Sequence, residues 1–221
     1  MAVLLFDIDG TLVSAMGAGR LALQKSVLNN FNIDDDLSGI EFAGQTDTAI
    51  ISRVIARISE QKSSMPANAE EKLLSGYLFE LEALLNQKPA QVLPGTEEIL
   101  ATVARNDSHI VGLLTGNVRE GAKLKLSFLF EQFEFGFFGD ISHDRNDISR
   151  AALEHLKASH DIKASDIIII GDTPKDIECA RAIKARSVAV ATGPYKLNQL
   201  TGADHAFEEL THALKFFEDL T

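Results

Sequence analysis

Apolar residues along the chain fall into two kinds of stretch. Short unbroken runs occur at Val3-Leu4-Leu5-Phe6, Ile110-Val111-Gly112-Leu113-Leu114, Ile167-Ile168-Ile169-Ile170 and residues 187–191. Their lack of polar alternation is the pattern of strands covered on both faces. Longer stretches repeat their apolar residues every three or four positions, as Leu73, Leu74, Tyr77, Leu78, Leu81, Leu84 and Leu85 do, which places them on one helix face. This reading predicts helices over about 19–30, 47–59, 70–85, 118–129, 148–159, 174–184 and 208–219, one opening at Pro94-Gly95-Thr96-Glu97-Glu98, and a short strand near Phe135–Phe138. From residue 94 onward strands and helices alternate, which implies right-handed crossovers and a parallel sheet. Residues 14–93 carry little strand signal, so they are expected to form an inserted helical bundle with its two linkers, leaving 1–13 and 94–221 as the α/β part.

Composition narrows the classes. A chain of 221 residues with 45% hydrophobic content is long enough for one α/β domain with an insertion. Its 21 basic and 32 acidic residues give a net charge of −11, and no basic cluster stands out, so neither nucleic acid nor an anionic membrane is an expected partner. The six phenylalanines at 128, 130, 133, 135, 137 and 138 lack basic interleaving and read as core. The single cysteine, Cys179, excludes an internal disulfide and reads as a small buried residue. No apolar run approaches membrane-spanning length and no basic region precedes the first apolar residues, which points to a cytoplasmic protein, monomeric or homodimeric. Asp34-Asp35-Asp36 reads as a solvated acidic turn.

The polar residues that matter sit where the apolar runs end. The first run passes into Asp7-Ile8-Asp9-Gly10-Thr11, and on an extended chain Asp7 and Asp9 face one side. The run at 110–114 ends in Thr115-Gly116-Asn117, and the isoleucine run ends in Gly171-Asp172-Thr173-Pro174-Lys175-Asp176. Pro174 suits the first position of a helix, which puts Asp176 in that helix's first turn. Ligands of parallel α/β sheets bind beyond the carboxyl ends of the strands, so these groups face one crevice. Between them, residues 139–145 form a polar loop carrying one strong cation, Arg145.

In their order and spacing these residues resemble the haloacid dehalogenase superfamily, specifically its phosphatase branch with a small helical cap, the group that includes phosphoglycolate phosphatases and β-phosphoglucomutase. The doubled aspartate before Gly10-Thr11, the hydroxyl of Thr115 after an apolar strand, and the acidic pair Asp172 and Asp176 each match one of its motifs. The resemblance implies a Rossmann-like parallel sheet covered by helices on both faces, with the inserted bundle of residues 14–93 hinging over the site as a cap. One motif departs from the pattern. Relatives carry a Lys-Pro pair before the following helix, whereas this chain has no lysine between Lys125 and Lys157, and Arg145 is the best substitute, with Arg150 behind it. Lys123 and Lys125 read as exposed helix residues.

Four carboxylates, Asp7, Asp9, Asp172 and Asp176, converging on one crevice raise one another's pKa and require a compensating cation. Oxygen donors without a His or Cys cluster suit a hard divalent ion, most simply Mg²⁺. By resemblance its ligands are the Asp7 carboxylate, the Asp9 main-chain carbonyl and Asp172, with Asp176 supporting them. The resemblance further implies hydrolysis of a phosphate monoester of a small metabolite, with Asp7 as nucleophile, Asp9 as general acid and base, and Thr115, Gly116, Asn117 and Arg145 holding the phosphoryl group. A loop offering Gln45 and Thr46, with Gly44 and Asp47, is expected to reach from the cap to the substrate. Asp47 equally suits capping of the helix after it, and Asn117 equally suits capping of the helix that follows residue 117. Arg20 could face an acidic leaving group such as glycolate or lie on the surface. A phosphomutase of the β-phosphoglucomutase type would use the same carboxylates. A haloacid dehalogenase fits less well because that branch lacks the second aspartate, and a binding protein has no need of all four.

Overall fold

A computed structural model describes residues 1–61, 64–105, 109–160 and 162–220 of the chain. The first strand, β1 (Val3–Phe6), is followed by a two-residue strand β2 (Val13–Ser14) and by three helices, α1 (Ala18–Phe31), α2 (Asp47–Ser59) and α3 (Ala69–Gln87). A second short strand, β3 (Gln91–Val92), pairs antiparallel with β2, so the way into the three helices and the way out run side by side. The chain continues through α4 (Thr96–Val103), β4 (Ile110–Leu114), α5 (Arg119–Leu126), β5 (Phe135–Phe137), α6 (Arg145–His160), β6 (Ile167–Gly171), α7 (Pro174–Ile183), β7 (Arg186–Val190), β8 (His205–Phe207) and α8 (Leu210–Glu218).

All six strands of the main sheet are parallel, in the order β5-β4-β1-β6-β7-β8. Strand alternation divides each central strand between two apolar layers. Leu4, Phe6, Ile168 and Ile170 face the layer formed by α4, α5 and α8, with Ile99, Leu126 and Phe217. Val3, Leu5, Ile167 and Ile169 face α6 and α7, with Ile148, Leu156 and Ile183. Burial on both sides is why these strands read as unbroken apolar runs. Register then sets the site: Phe6 lies beside both Leu113 and Ile170, so Asp7, Thr115 and Asp172 emerge together at the sheet's carboxyl edge.

The helices α1, α2 and α3 have an apolar interior of their own, built from Leu23, Val27, Phe31, Val54, Ile58, Leu73 and Leu81, all essentially buried. Among the described residues no helix is long and apolar enough to cross a membrane. The sequence reading differs from the structure at several points, and Phe128, one of the six phenylalanines read as core, is exposed. It did not anticipate β8 or the β2–β3 pair, which are two or three residues long. Helix α6 begins at Arg145, three residues before Ile148, because the Asp144 carbonyl already accepts the Asp147 N–H there. Asp35 is not solvated: it is buried and receives Arg57 Nε at 2.9 Å.

Candidate active site

Asp7 is the first residue past β1, its N–H still bonded to the Ile170 carbonyl at 2.8 Å. It is buried with Asp172 and Asp176, and these three carboxylates offer oxygens all within 4.8 Å of one another. Asp172 leaves β6 and sits against glycine backbone: a Cβ on Gly10 or on Gly193 would run into its carboxyl group, so both glycines make room for it. Thr11 donates its hydroxyl to Asp172 Oδ1 at 3.3 Å. Asp176 closes the first turn of α7, where its Oδ2 accepts the Thr173 N–H at 3.0 Å and the Thr173 hydroxyl at 2.7 Å.

Arg145 reaches this cluster from the first turn of α6. It donates Nη2 to Asp176 Oδ1 at 2.5 Å and Nη1 to Asp7 Oδ2 at 3.4 Å. Its Nε is buried and has no partner among the described residues. Arg150 points elsewhere, exposed and paired with Asp147 at 2.5 Å. Of the two arginines, the structure brings Arg145 to the carboxylates.

The electrostatics follow from burial. Desolvation pushes the Asp7 carboxyl up to about 6 against the pull of Arg145, with Asp176 adding to the rise and the Thr115 hydroxyl opposing it. Asp172 is held well above its ordinary range, first by burial and then by repulsion from Asp176 and Asp7. For Arg145 burial acts downward, yet Asp176 and Asp7 outweigh it, and the guanidinium stays charged. One cation against three buried carboxylates leaves the cluster short of positive charge. Its all-oxygen donor set and spacing fit a hard divalent ion such as Mg²⁺. Asp172 is the freer ligand, because both oxygens of Asp176 are already engaged.

Asp9 lies across the crevice and is only partly exposed. Its Oδ2 receives Lys125 Nζ at 2.6 Å and Asn117 Nδ2 at 2.8 Å. Asn117 also bonds the Thr115 hydroxyl through Nδ2 at 2.9 Å and accepts Lys125 Nζ at 2.5 Å. Asn117 therefore does not cap α5, whose N-cap is Val118. Lys125 corrects the sequence reading, which placed it on an exposed face. It is buried on the inner face of α5 with Gly121, Ala122 and Leu126. Burial lowers its pKa, but Asp9, Tyr77 and Asp47 together outweigh that and raise it. The periodicity held the signal: Lys125 is three residues after Ala122 and one before Leu126, in phase with the apolar stripe, while Lys123 is not.

The segment before α2 closes the site from above. Thr46 is the N-cap of α2, its hydroxyl accepting the Ala49 N–H at 3.2 Å and donating to the His143 carbonyl at 3.1 Å. Asp47 serves the other helix instead, accepting the Val118 N–H at the start of α5 at 3.0 Å, and its own N–H donates to the Gly116 carbonyl at 2.8 Å. Burial pushes the Asp47 carboxyl up to about 6, with Lys125 and the Val118 N–H opposing. Gln45 lines the cavity beside Thr115, Gly116 and Asn117. A Cβ on Gly116 would strike the Gln45 carbonyl. Gly116→Ala is therefore expected to push the 44–47 loop off the sheet edge and lower kcat/KM on any accepted substrate by about tenfold or more, roughly 1.4 kcal/mol, with an unchanged circular dichroism spectrum. An unaltered kcat/KM would show that this contact is not needed in the reacting complex.

Comparison with known proteins agrees with this arrangement. Residues 4–190 match the family described as haloacid dehalogenase-like hydrolase. A phosphoglycolate phosphatase of Synechococcus elongatus is 26% identical over 195 residues, which cover 87% of this chain and 85% of that protein. CbbY from Rhodobacter sphaeroides, solved in complex with phosphate, superposes with a TM-score of 0.77 at 19% identity, covering 96% of each chain. A predicted phosphoglycolate phosphatase from Haemophilus somnus gives 0.78 at 16% identity, covering 98% of this chain and 97% of the other.

Proposed function

We propose a full catalytic cycle for this chain, which belongs to the haloacid dehalogenase-like hydrolase family and is a phosphatase, a phosphoric monoester hydrolase: it cleaves the phosphate ester of a small metabolite through an aspartyl-phosphate on Asp7. The observation that carries this reading is the buried group of Asp7, Asp172 and Asp176 at the sheet's carboxyl edge with Arg145 bonded across it. We assign residues 1–13 and 94–221 to the catalytic core and 14–93 to a cap, an assignment supported by the separate apolar interior of α1, α2 and α3.

Mg²⁺ held by the Asp7 carboxylate, the Asp9 main-chain carbonyl and Asp172 would supply positive charge to the phosphoryl oxygens. Asp7 attacks phosphorus in line, and the bond to the alcohol oxygen breaks. Arg145, whose Nε is unpartnered, and the Thr115 hydroxyl hold phosphoryl oxygens, with the main chain of Gly116 and the Asn117 amide beside them. Asp9 protonates the leaving alcohol, and then takes a proton from the water that attacks the phosphorylated Asp7. Lys125 and Asn117 hold one oxygen of the Asp9 carboxyl group in place for both steps. In the first step Asp9 must carry the proton that it gives to the alcohol. Gln45 borders the leaving-group end, whereas Thr46, expected from the sequence to reach the substrate, is buried as the N-cap of α2 and does not line this cavity.

The metal dependence is directly testable. Excess chelator should abolish hydrolysis and lower the melting temperature by a few degrees, since a ligand of the folded state alone stabilises it, and added Mg²⁺ should restore both. Full turnover in chelator would overturn the proposed ligand set. Assaying a sugar 1-phosphate for isomerised product in the same experiment separates hydrolysis from phosphoryl return to the substrate.

A further inference from the structure

Building on the phosphatase reading, we infer that the leaving group accepted here is an uncharged alcohol with an apolar face, and not one carrying a carboxylate or a second phosphate. The cavity extends from Asp7 and Asp172 up between the cap helices, where Leu23, Phe42, Ile50, Ile51 and Tyr77 line it, and its volume is about 460 Å³. That is far more room than phosphate and a two-carbon acid fill, and it is the size range of well-formed small-molecule pockets.

The charged groups point the same way. Three cations line the cavity among the described residues, and each is already engaged. Arg145 belongs to Asp7 and Asp176, and Lys125 to Asp9 and Asn117. Arg20, the one cation of the cap end, donates Nη1 to the Leu37 carbonyl at 2.6 Å and Nη2 to the Ile40 carbonyl at 3.0 Å, and its guanidinium lies 4.1 Å from the Phe42 ring centroid. A substrate carboxylate would have to share Arg20 with two backbone carbonyls and the Phe42 ring, which already fix the direction of its guanidinium. It would also face Asp47, a carboxyl in the same wall. Neutral hydroxyls meet no such opposition, and Gln45 and Tyr77 offer them uncharged partners.

The test compares kcat/KM for benzyl phosphate and 2-phosphoglycolate with the Mg²⁺-loaded protein; their leaving alcohols are of similar basicity, so the ratio reports recognition. We expect a preference for benzyl phosphate of about tenfold or more, corresponding to roughly 1.4 kcal/mol. A smaller preference, or the reverse, overturns the inference while leaving the phosphatase reading intact. Hydrolysis of neither ester, nor of any other phosphate monoester offered, overturns the phosphatase reading itself. Arg20→Gln should keep the ratio within about threefold of wild type while lowering the melting temperature, because this arginine ties the cap together. Selective loss of 2-phosphoglycolate hydrolysis in that variant would show Arg20 serving a substrate carboxylate, and would equally overturn the inference.

Discussion

Asp7→Asn lowers turnover by on the order of 10⁴-fold or more and leaves the fold intact. The amide keeps the shape of the carboxyl group but has no negative oxygen with which to attack phosphorus. Stability should move the other way. Wild-type Asp7 is pushed up to about 6 by burial, so above that pH its ionised form carries an unfavourable charge in the folded state. The neutral amide removes that burden, although it also weakens the contact with Arg145. The metal-free variant should therefore melt no lower than metal-free wild type at pH 7 and above. Steady-state rates with Mg²⁺ and thermal melts in chelator check both parts, and activity within about tenfold of wild type would remove Asp7 from the mechanism.

Arg145→Ala comes next in expected size, with a loss of roughly two to three orders of magnitude, the scale of removing one preorganised charge-stabilising donor. The same change strips the partner from Asp176 and leaves Asp7 and Asp172 in a denser field of negative charge. A melting temperature several degrees lower is expected, since breaking a buried ion pair costs about 3–5 kcal/mol. Arg145→Lys restores the charge without the planar fork, so it should recover the melting temperature more fully than the rate. Arg150→Ala touches only an exposed pair with Asp147 and should leave both within experimental error. Near-normal turnover in Arg145→Ala, measured below its melting temperature, would show that the phosphoryl group is held without this arginine.

The carboxyl-edge residues were legible because two separate signals agreed: unbroken apolar runs fix the strands, and chemistry-bearing side chains follow each run directly. That geometry placed Asp7, Thr115, Asp172 and Asp176 at the edge, their roles came from the resemblance to the haloacid dehalogenase superfamily, and Arg145 could be found because it is the strong cation in the loop before α6. Lys125 was missed because a lysine in a helix is assigned to solvent by default. A long aliphatic stem lets it share the apolar face of α5 while delivering its ammonium to Asp9. Asp35 was missed for a related reason, since its partner Arg57 is 22 residues away. Arg20 could not be assigned from sequence at all: whether it meets a ligand or its own loop depends on where the carbonyls of Leu37 and Ile40 fold back. The strands β2, β3 and β8 are too short for periodicity to register.

The apolar wall of the cavity has an evolutionary cost attached to it. Leu23, Ile50, Ile51 and Tyr77 line the cavity and are at the same time members of the apolar interior shared by α1, α2 and α3. A substitution that widens the pocket for a bulkier alcohol, such as Ile51→Ala, also leaves a void in the interior of the helical part, at a cost of about 2–5 kcal/mol. The central sheet, with apolar layers of its own, would register little of that loss. New substrate ranges are thus reached most readily from sequences in which the helical part has first acquired surplus stability, and selection for such ranges should leave compensating changes on the far sides of α1 and α3 rather than around the aspartates.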